Sequence, residues 1–109
     1  MTGSIVKVIV DRPMGCRHPE YKNLIYPVNY GYIPGVIAPD GEEQDAYILG
    51  VNTVVKEFTG RVIAIIHRND DREEKWVVAP DGKNFSMEEI ERAVHFQERY
   101  FDHSVVLKD

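Results

Sequence analysis

The sequence predicts a mainly β, α+β chain whose short strands curl into a small antiparallel barrel, closed or nearly closed, with one late helix. Three observations carry that expectation. Short apolar, β-branched runs recur along the chain, Pro-Asp-Gly signals punctuate them at Pro39 and Pro80, and a capping-box serine follows the second. At 109 residues the chain is expected to form a single domain over 1–109. An open sheet covered by the helix is the alternative arrangement.

Ile5 to Val10 reads as the first strand, and Arg12 to Asn23, with Pro13, Gly15 and Pro19, as irregular chain. Tyr26 to Ile33 is aromatic and extended, with Pro27 at an edge or bend because it lacks an N–H. After the Pro39-Asp40-Gly41 turn, Ala46 to Val55 is a strand with Gly50 as a bulge, and Arg61 to His67 is an unbroken apolar run. Asn69 to Glu74 makes a polar loop, Lys75 to Ala79 returns as a strand, and Pro80-Asp81-Gly82 turns again. Ser86 and Glu89 stand at capping-box spacing, so a helix is predicted from Met87 to about Tyr100. Ile90, Ala93, Val94, Gln97 and Phe101 fall near its buried face, and Val105 to Leu107 adds a last strand.

Composition excludes several classes. A hydrophobic content of 43% against 28% charged residues is that of a globular protein, not of a disordered one. A net charge of −5 argues against nucleic acid or an anionic membrane as partner, since both need a basic face. Cys16 is the only cysteine, which rules out an internal disulfide and two-cysteine metal knuckles. Apolar runs are far below the roughly 20 residues of a membrane span, and Met1-Thr2-Gly3-Ser4 does not open a secretory signal, so a cytoplasmic location is expected.

No phosphate loop, dinucleotide glycine pattern or zinc-binding helix motif is present. The four histidines are scattered and read as surface or packing residues. The informative stretch is Asp40-Gly41-Glu42-Glu43-Gln44-Asp45, a turn and following strand crowded with carboxylates; a second acidic group, Asp70, Asp71, Glu73 and Glu74, precedes Lys75. Each alone is compatible with a solvated loop. Brought to one end of a barrel, carboxylates about 4 Å apart would repel by about 4 kcal/mol per pair, a repulsion that a hard divalent cation reverses. Tyr26, Tyr30 and Tyr32 lie just upstream, and their phenols are either core packing or neutral donors suited to phosphate oxygens.

Tyr26-Pro27-x-Asn29-Tyr30-Gly31-Tyr32-Ile33, followed by Asp40-Gly41-Glu42-x-x-Asp45, resembles the core of the soluble family I inorganic pyrophosphatases. Asp70, Glu73 and Lys75 resemble that family's second acidic loop, and His95-Phe96-x-Glu98-x-Tyr100 its late helix, so the likeness runs from Tyr26 to Tyr100. It implies an OB-like barrel and magnesium-dependent hydrolysis of pyrophosphate, with manganese as the alternative ion. In that resemblance Asp40, Asp45 and Glu73 hold the first metal, and Asp70 and Asp71 serve further ones. Glu42 takes the proton of the attacking water, Lys75, Tyr30 and Tyr100 bind phosphoryl oxygens, and Tyr26 and Asn29 shape the pocket. A homo-oligomer is also implied. The runner-up reading is a barrel that binds phosphate ligands without turnover.

Several residues depart from the family pattern. Glu42 is one methylene longer than the family's aspartate, Gln44 replaces an apolar residue, and Phe101 stands in place of a lysine beside the helix tyrosine. The chain is also shorter than usual members. Asp11 to His18 fits the family in two registers, one pairing Asp11 with an acidic residue before a turn, the other making Arg12 the phosphate-binding arginine; Arg12 and Arg17 are both candidates.

Overall fold

In the computed structural model the structure describes residues 3–69 and 73–107. The elements are β1 (Ile5–Arg12), β2 (Asn29–Ile37), β3 (Glu43–Ile48), β4 (Glu57–Arg68), β5 (Glu74–Ala79), α1 (Met87–Glu98) and β6 (His103–Leu107). Neighbouring strands run β1-β2-β3-β5-β4, and β1 pairs back onto β4, so five strands close a barrel while β6 adds to the far half of β4.

One pair departs from the fully antiparallel barrel that the sequence suggests: β3 and β5 are parallel, with Asp45 opposite Lys75 and Ile48 opposite Val78. The reason is parity, since an odd number of strands cannot alternate direction all the way round a closed ring. The consequence is chemical, because that parallel register sets an acid beside a base.

Alternation along the strands divides the apolar residues into two layers. Val8, Ile33, Ala46, Ile48, Val62 and Val78 pack together inside the barrel. Tyr30, Tyr47, Leu49, Ile66 and Val77 face outward instead, where Ile90 and Val94 of α1 cover them. A register shift between Val62 and Ala64 moves β4 from one layer to the other, as a bulge does. Gly31 is fixed by the close approach of β1, for a Cβ there would lie 1.9 Å from the Ile9 carbonyl oxygen.

Element boundaries differ from the expected ones along the chain: β1 and β6 are each two residues longer, and β2 runs Asn29–Ile37 rather than Tyr26 to Ile33. β3 ends at Ile48 rather than continuing to Val55, because Gly50, at φ 81°, turns the chain out of the sheet instead of forming a bulge. β4 begins at Glu57, four positions before Arg61, since its first residues are the closing partner of β1. The helix stops at Glu98 with Arg99 as cap; the Tyr100 and Phe101 N–H groups donate to the Gln97 and Glu98 carbonyls, a tighter winding that ends the α ladder. The predicted capping box is present in full, Ser86 Oγ accepting from Glu89 N at 3.1 Å and Glu89 Oε1 from Ser86 N at 2.8 Å.

Candidate active site

Strand register delivers the first cluster of charged groups. Lys75 is 5% exposed, and its Nζ donates to Asp45 Oδ2 at 2.6 Å and to the Tyr30 hydroxyl at 3.0 Å, with Glu73 Oε2 at 3.1 Å. Burial alone would depress the lysine pKa; Tyr30 and Asp45 outweigh burial and hold it raised, so the ammonium stays charged. The Tyr30 phenol is pushed up by burial, which exceeds the lowering by Lys75, and remains a neutral donor. A fixed cation and a neutral hydroxyl thus sit between two carboxylates.

The second cation is Arg68, the last residue of β4. Its Nε and Nη2 donate to Glu98 Oε1 and Oε2 at 3.1 and 2.9 Å, and its Nη1 to Glu73 Oε2 at 2.5 Å. The guanidinium lies 3.7 Å from the centre of the Phe101 ring, a cation–π contact made available where the chain leaves α1. Glu98 is fully buried; desolvation raises its pKa, but the hydrogen bonds from Arg68 and Tyr47 prevail and hold it below the usual carboxylate range.

A one-way run of donors joins this pair to Arg12. Arg12 Nη1 donates to the Tyr26 hydroxyl at 2.7 Å, Tyr26 to Gln97 Oε1 at 3.1 Å, Gln97 Nε2 to the Tyr47 hydroxyl at 2.7 Å, and Tyr47 to Glu98 Oε2 at 2.7 Å. Both phenols accept once and donate once, so these buried polar groups are satisfied and mutually polarised. Burial drives the Tyr26 and Tyr47 pKa values upward, which keeps both protons in the run.

Above this framework lies a cleft of about 810 Å³, with Arg12, Tyr30, Asp45, Arg68, Glu73 and Lys75 on its floor. Among the described residues the cleft lining carries Arg12, Lys22, Arg68, Lys75 and Arg99 against Glu20, Asp45 and Glu73, with Glu98 beneath Arg68, an excess of positive charge that suits an anion on a chain of net charge −5.

The residues singled out from the sequence therefore separate. Tyr30, Asp45, Glu73, Lys75, Arg12 and Tyr100 all line the cleft. Tyr26 is buried beneath it, and Asn29 ties the Met14 N–H to the Thr53 carbonyl, bracing the adjoining chain. Asp40 and Glu42 are exposed at the β2–β3 tip and outside the lining, with Asp40 Oδ1 accepting from Glu42 N at 3.0 Å. Arg17 is exposed and donates to the Lys22 carbonyl at 2.8 Å. Asp70 and Asp71 lie outside the described residues. Among the described residues no group of three or more His, Cys, Asp or Glu stands close enough to hold a metal ion. Sequence reading assigned no site role to Arg68, Tyr47, Gln97 or Glu98; Gln97 on the buried helix stripe and Glu98 in the late-helix resemblance were the available signals, whereas Arg68 closes an apolar run without a motif.

The barrel with one covering helix is the fold of known inorganic pyrophosphatase structures. The crystal structure of an inorganic pyrophosphatase from Neisseria gonorrhoeae matches with a TM-score of 0.65 at 21% identity, covering 90% of this chain and 74% of that one. That of the inorganic pyrophosphatase from Ehrlichia chaffeensis matches with a TM-score of 0.67 at 18% identity, covering 95% and 88%. Sequence carries the assignment further. The family model for inorganic pyrophosphatase matches residues 4–104, and an inorganic pyrophosphatase of Gluconobacter oxydans (strain 621H) is 33% identical over 119 residues, covering 92% of this chain and 69% of the relative. The chain belongs to the inorganic pyrophosphatase family, a family of inorganic diphosphatases among the hydrolases.

Proposed function

We propose that this chain hydrolyses inorganic pyrophosphate to two phosphates in the cleft over Lys75, with magnesium as its ion and manganese as the alternative. The observation that carries the reading is the convergence of Asp45, Glu73 and Tyr30 on Lys75 Nζ within 3.1 Å. Two carboxylates at one point suit magnesium, which takes one or two protein carboxylates and completes its shell with water and substrate phosphate oxygens. Asp45 and Glu73 would hold it, with Asp70 and Asp71 for further ions. The bound ion would acidify a water and neutralise charge on the phosphates.

The remaining chemistry rests on the chain's own groups. Lys75, Arg12 and the Tyr30 hydroxyl bind and orient phosphoryl oxygens, and Tyr100 closes the outer side. Tyr26 accepts one Arg12 N–H, which aims the guanidinium toward the cleft. The water proton passes to a cleft carboxylate or to Glu42, the acceptor the family resemblance implies. The exposed position of Glu42 favours the second reading, a phosphate-ligand module without turnover. A cytoplasmic location, a homo-oligomeric state and a single domain over 1–109 belong to the same proposal. No helix among the described residues is long and apolar enough to cross a membrane.

Phosphate release from pyrophosphate separates the readings. Hydrolysis that requires magnesium and stops with EDTA is expected; a thermal shift with magnesium and pyrophosphate but no released phosphate would instead establish the binding module.

A further inference from the structure

The chain between β1 and β2, irregular in sequence, is a braced miniature hairpin. Arg17 and Ile25 form an antiparallel bridge, His18 N donates to the Leu24 carbonyl at 2.8 Å, and Tyr26 N to the Cys16 carbonyl at 2.9 Å. His18 Nδ1 accepts from Glu20 N and Tyr21 N at 3.0 and 3.2 Å, which closes the tip and places the ring proton on Nε2. The His18 ring lies 5° from parallel to Tyr26 at 6.0 Å, and Tyr21 leans on His18 at 4.9 Å. An aromatic ladder thus climbs from the buried floor to the rim.

At its top, Tyr21 is 64% exposed while lining the cleft, and Tyr100, which lines the same cleft, is 62% exposed. Pyrophosphate has no apolar surface to set against either ring. The Tyr100 ring already carries the Arg99 guanidinium, 4.8 Å from its centre, so it is the exposed Tyr21 ring beside a cationic lining that matches a ligand with a planar base at one end and a diphosphate at the other.

Resting on the phosphoanhydride reading above, we propose that the outer half of the cleft, between the 17–25 hairpin and Tyr100, is a nucleoside subsite and that the chain hydrolyses nucleoside diphosphates. The terminal phosphate occupies the Lys75 floor and the base stacks on Tyr21. Water oxygen bonds to the terminal phosphorus, the bridging P–O bond breaks, and the bridging oxygen leaves on the nucleoside monophosphate. The water proton ends on a carboxylate or in solvent.

Binding of two non-hydrolysable analogues in magnesium tests this apart from turnover: α,β-methylene-ADP and methylenediphosphonate, titrated into the wild-type chain and Tyr21→Ala. The wild type is expected to bind the nucleotide analogue at least about fivefold more tightly than the phosphonate, the low end of one base–aromatic stack. Tyr21→Ala should lose that advantage with phosphonate affinity unchanged, and Tyr21→Trp should keep it. Equal wild-type affinities, or an alanine variant that weakens both ligands or neither, would overturn the subsite. Phosphate released from pyrophosphate but not from ADP would overturn the nucleotide activity. Nucleotide binding through Tyr21 with no phosphate released from either substrate would sustain the subsite and end the pyrophosphatase reading.

Discussion

Asp40 and Asp45 belong to one acidic block, yet the fold gives them different surroundings. At the tip, Gly41 N donates to the Ala38 carbonyl at 2.9 Å and Ala38 N to the Glu42 carbonyl at 2.8 Å, so the local chain satisfies itself and leaves Asp40 and Glu42 in solvent. Asp45 lies in the paired part of β3, with Tyr32 opposite on one side and Lys75 on the other. Local density of charge did not decide which carboxylate faces a cation. Strand register did, and specifically the parallel register that an odd-stranded barrel requires.

Breaking the Lys75 cluster should have the largest effect. Lys75→Met keeps the length of the side chain and removes the charge, and phosphate release from pyrophosphate is expected to fall by more than about a hundredfold. Asp45 and Glu73 would then face each other without their shared partner. A rate within about tenfold of wild type would show that the floor cation is dispensable.

Next comes the framework beneath the floor. Glu98→Ala removes the doubly bonded partner of the buried Arg68 and leaves it Glu73, and urea unfolding should report a loss of about 3 kcal/mol, the low end for a broken buried pair. The pH dependence has a defined sign. Because the folded-state pKa of Glu98 lies below its ordinary value of 4.5, its contribution is fully present above that value and disappears as pH falls through the folded one. Glu98→Gln should therefore flatten the acid limb of the stability curve relative to wild type.

The tip should matter less. Glu42→Gln is expected to lower turnover by less than about tenfold, whereas removing a working general base costs about 10²–10⁴-fold. A loss in that larger range would move the tip into the reacting centre. The smallest effect concerns His103, whose Nε2 stands 3.1 Å from Glu91 Oε1 and links β6 to α1. The Phe101 carbonyl and Glu91 outweigh burial and hold its pKa above the ordinary 6.5. Its stabilisation is thus complete below that value and is lost as pH rises through the folded pKa, a drift that thermal melts of His103→Phe should lack.

Local grammar was legible in the sequence. The Ser86–Glu89 box, the Pro39 and Pro80 turns and the apolar cores of the strands all follow from near-neighbour chemistry. The resemblance likewise singled out Tyr30, Asp45 and Lys75 by type and spacing. What stayed hidden depends on distant partners. Glu57 to Gly60 carry no strand pattern because their pairing belongs to the barrel closure with β1. Arg68 and Glu98 are charged residues made fit for burial by each other and by Glu73 and Tyr47, all of them distant in sequence or without a motif. Phe101, counted from the sequence as a missing cation, lies under the guanidinium of Arg68.

Asp45, placed by the β3–β5 register against Lys75, is expected to be the carboxylate on which the chemistry turns. Magnesium-dependent phosphate release from pyrophosphate should therefore be measured for wild type and for Asp45→Asn, with matched thermal melts as a folding control. Release by the wild type and none by a folded Asp45→Asn is expected. Equal rates for the two proteins would contradict it.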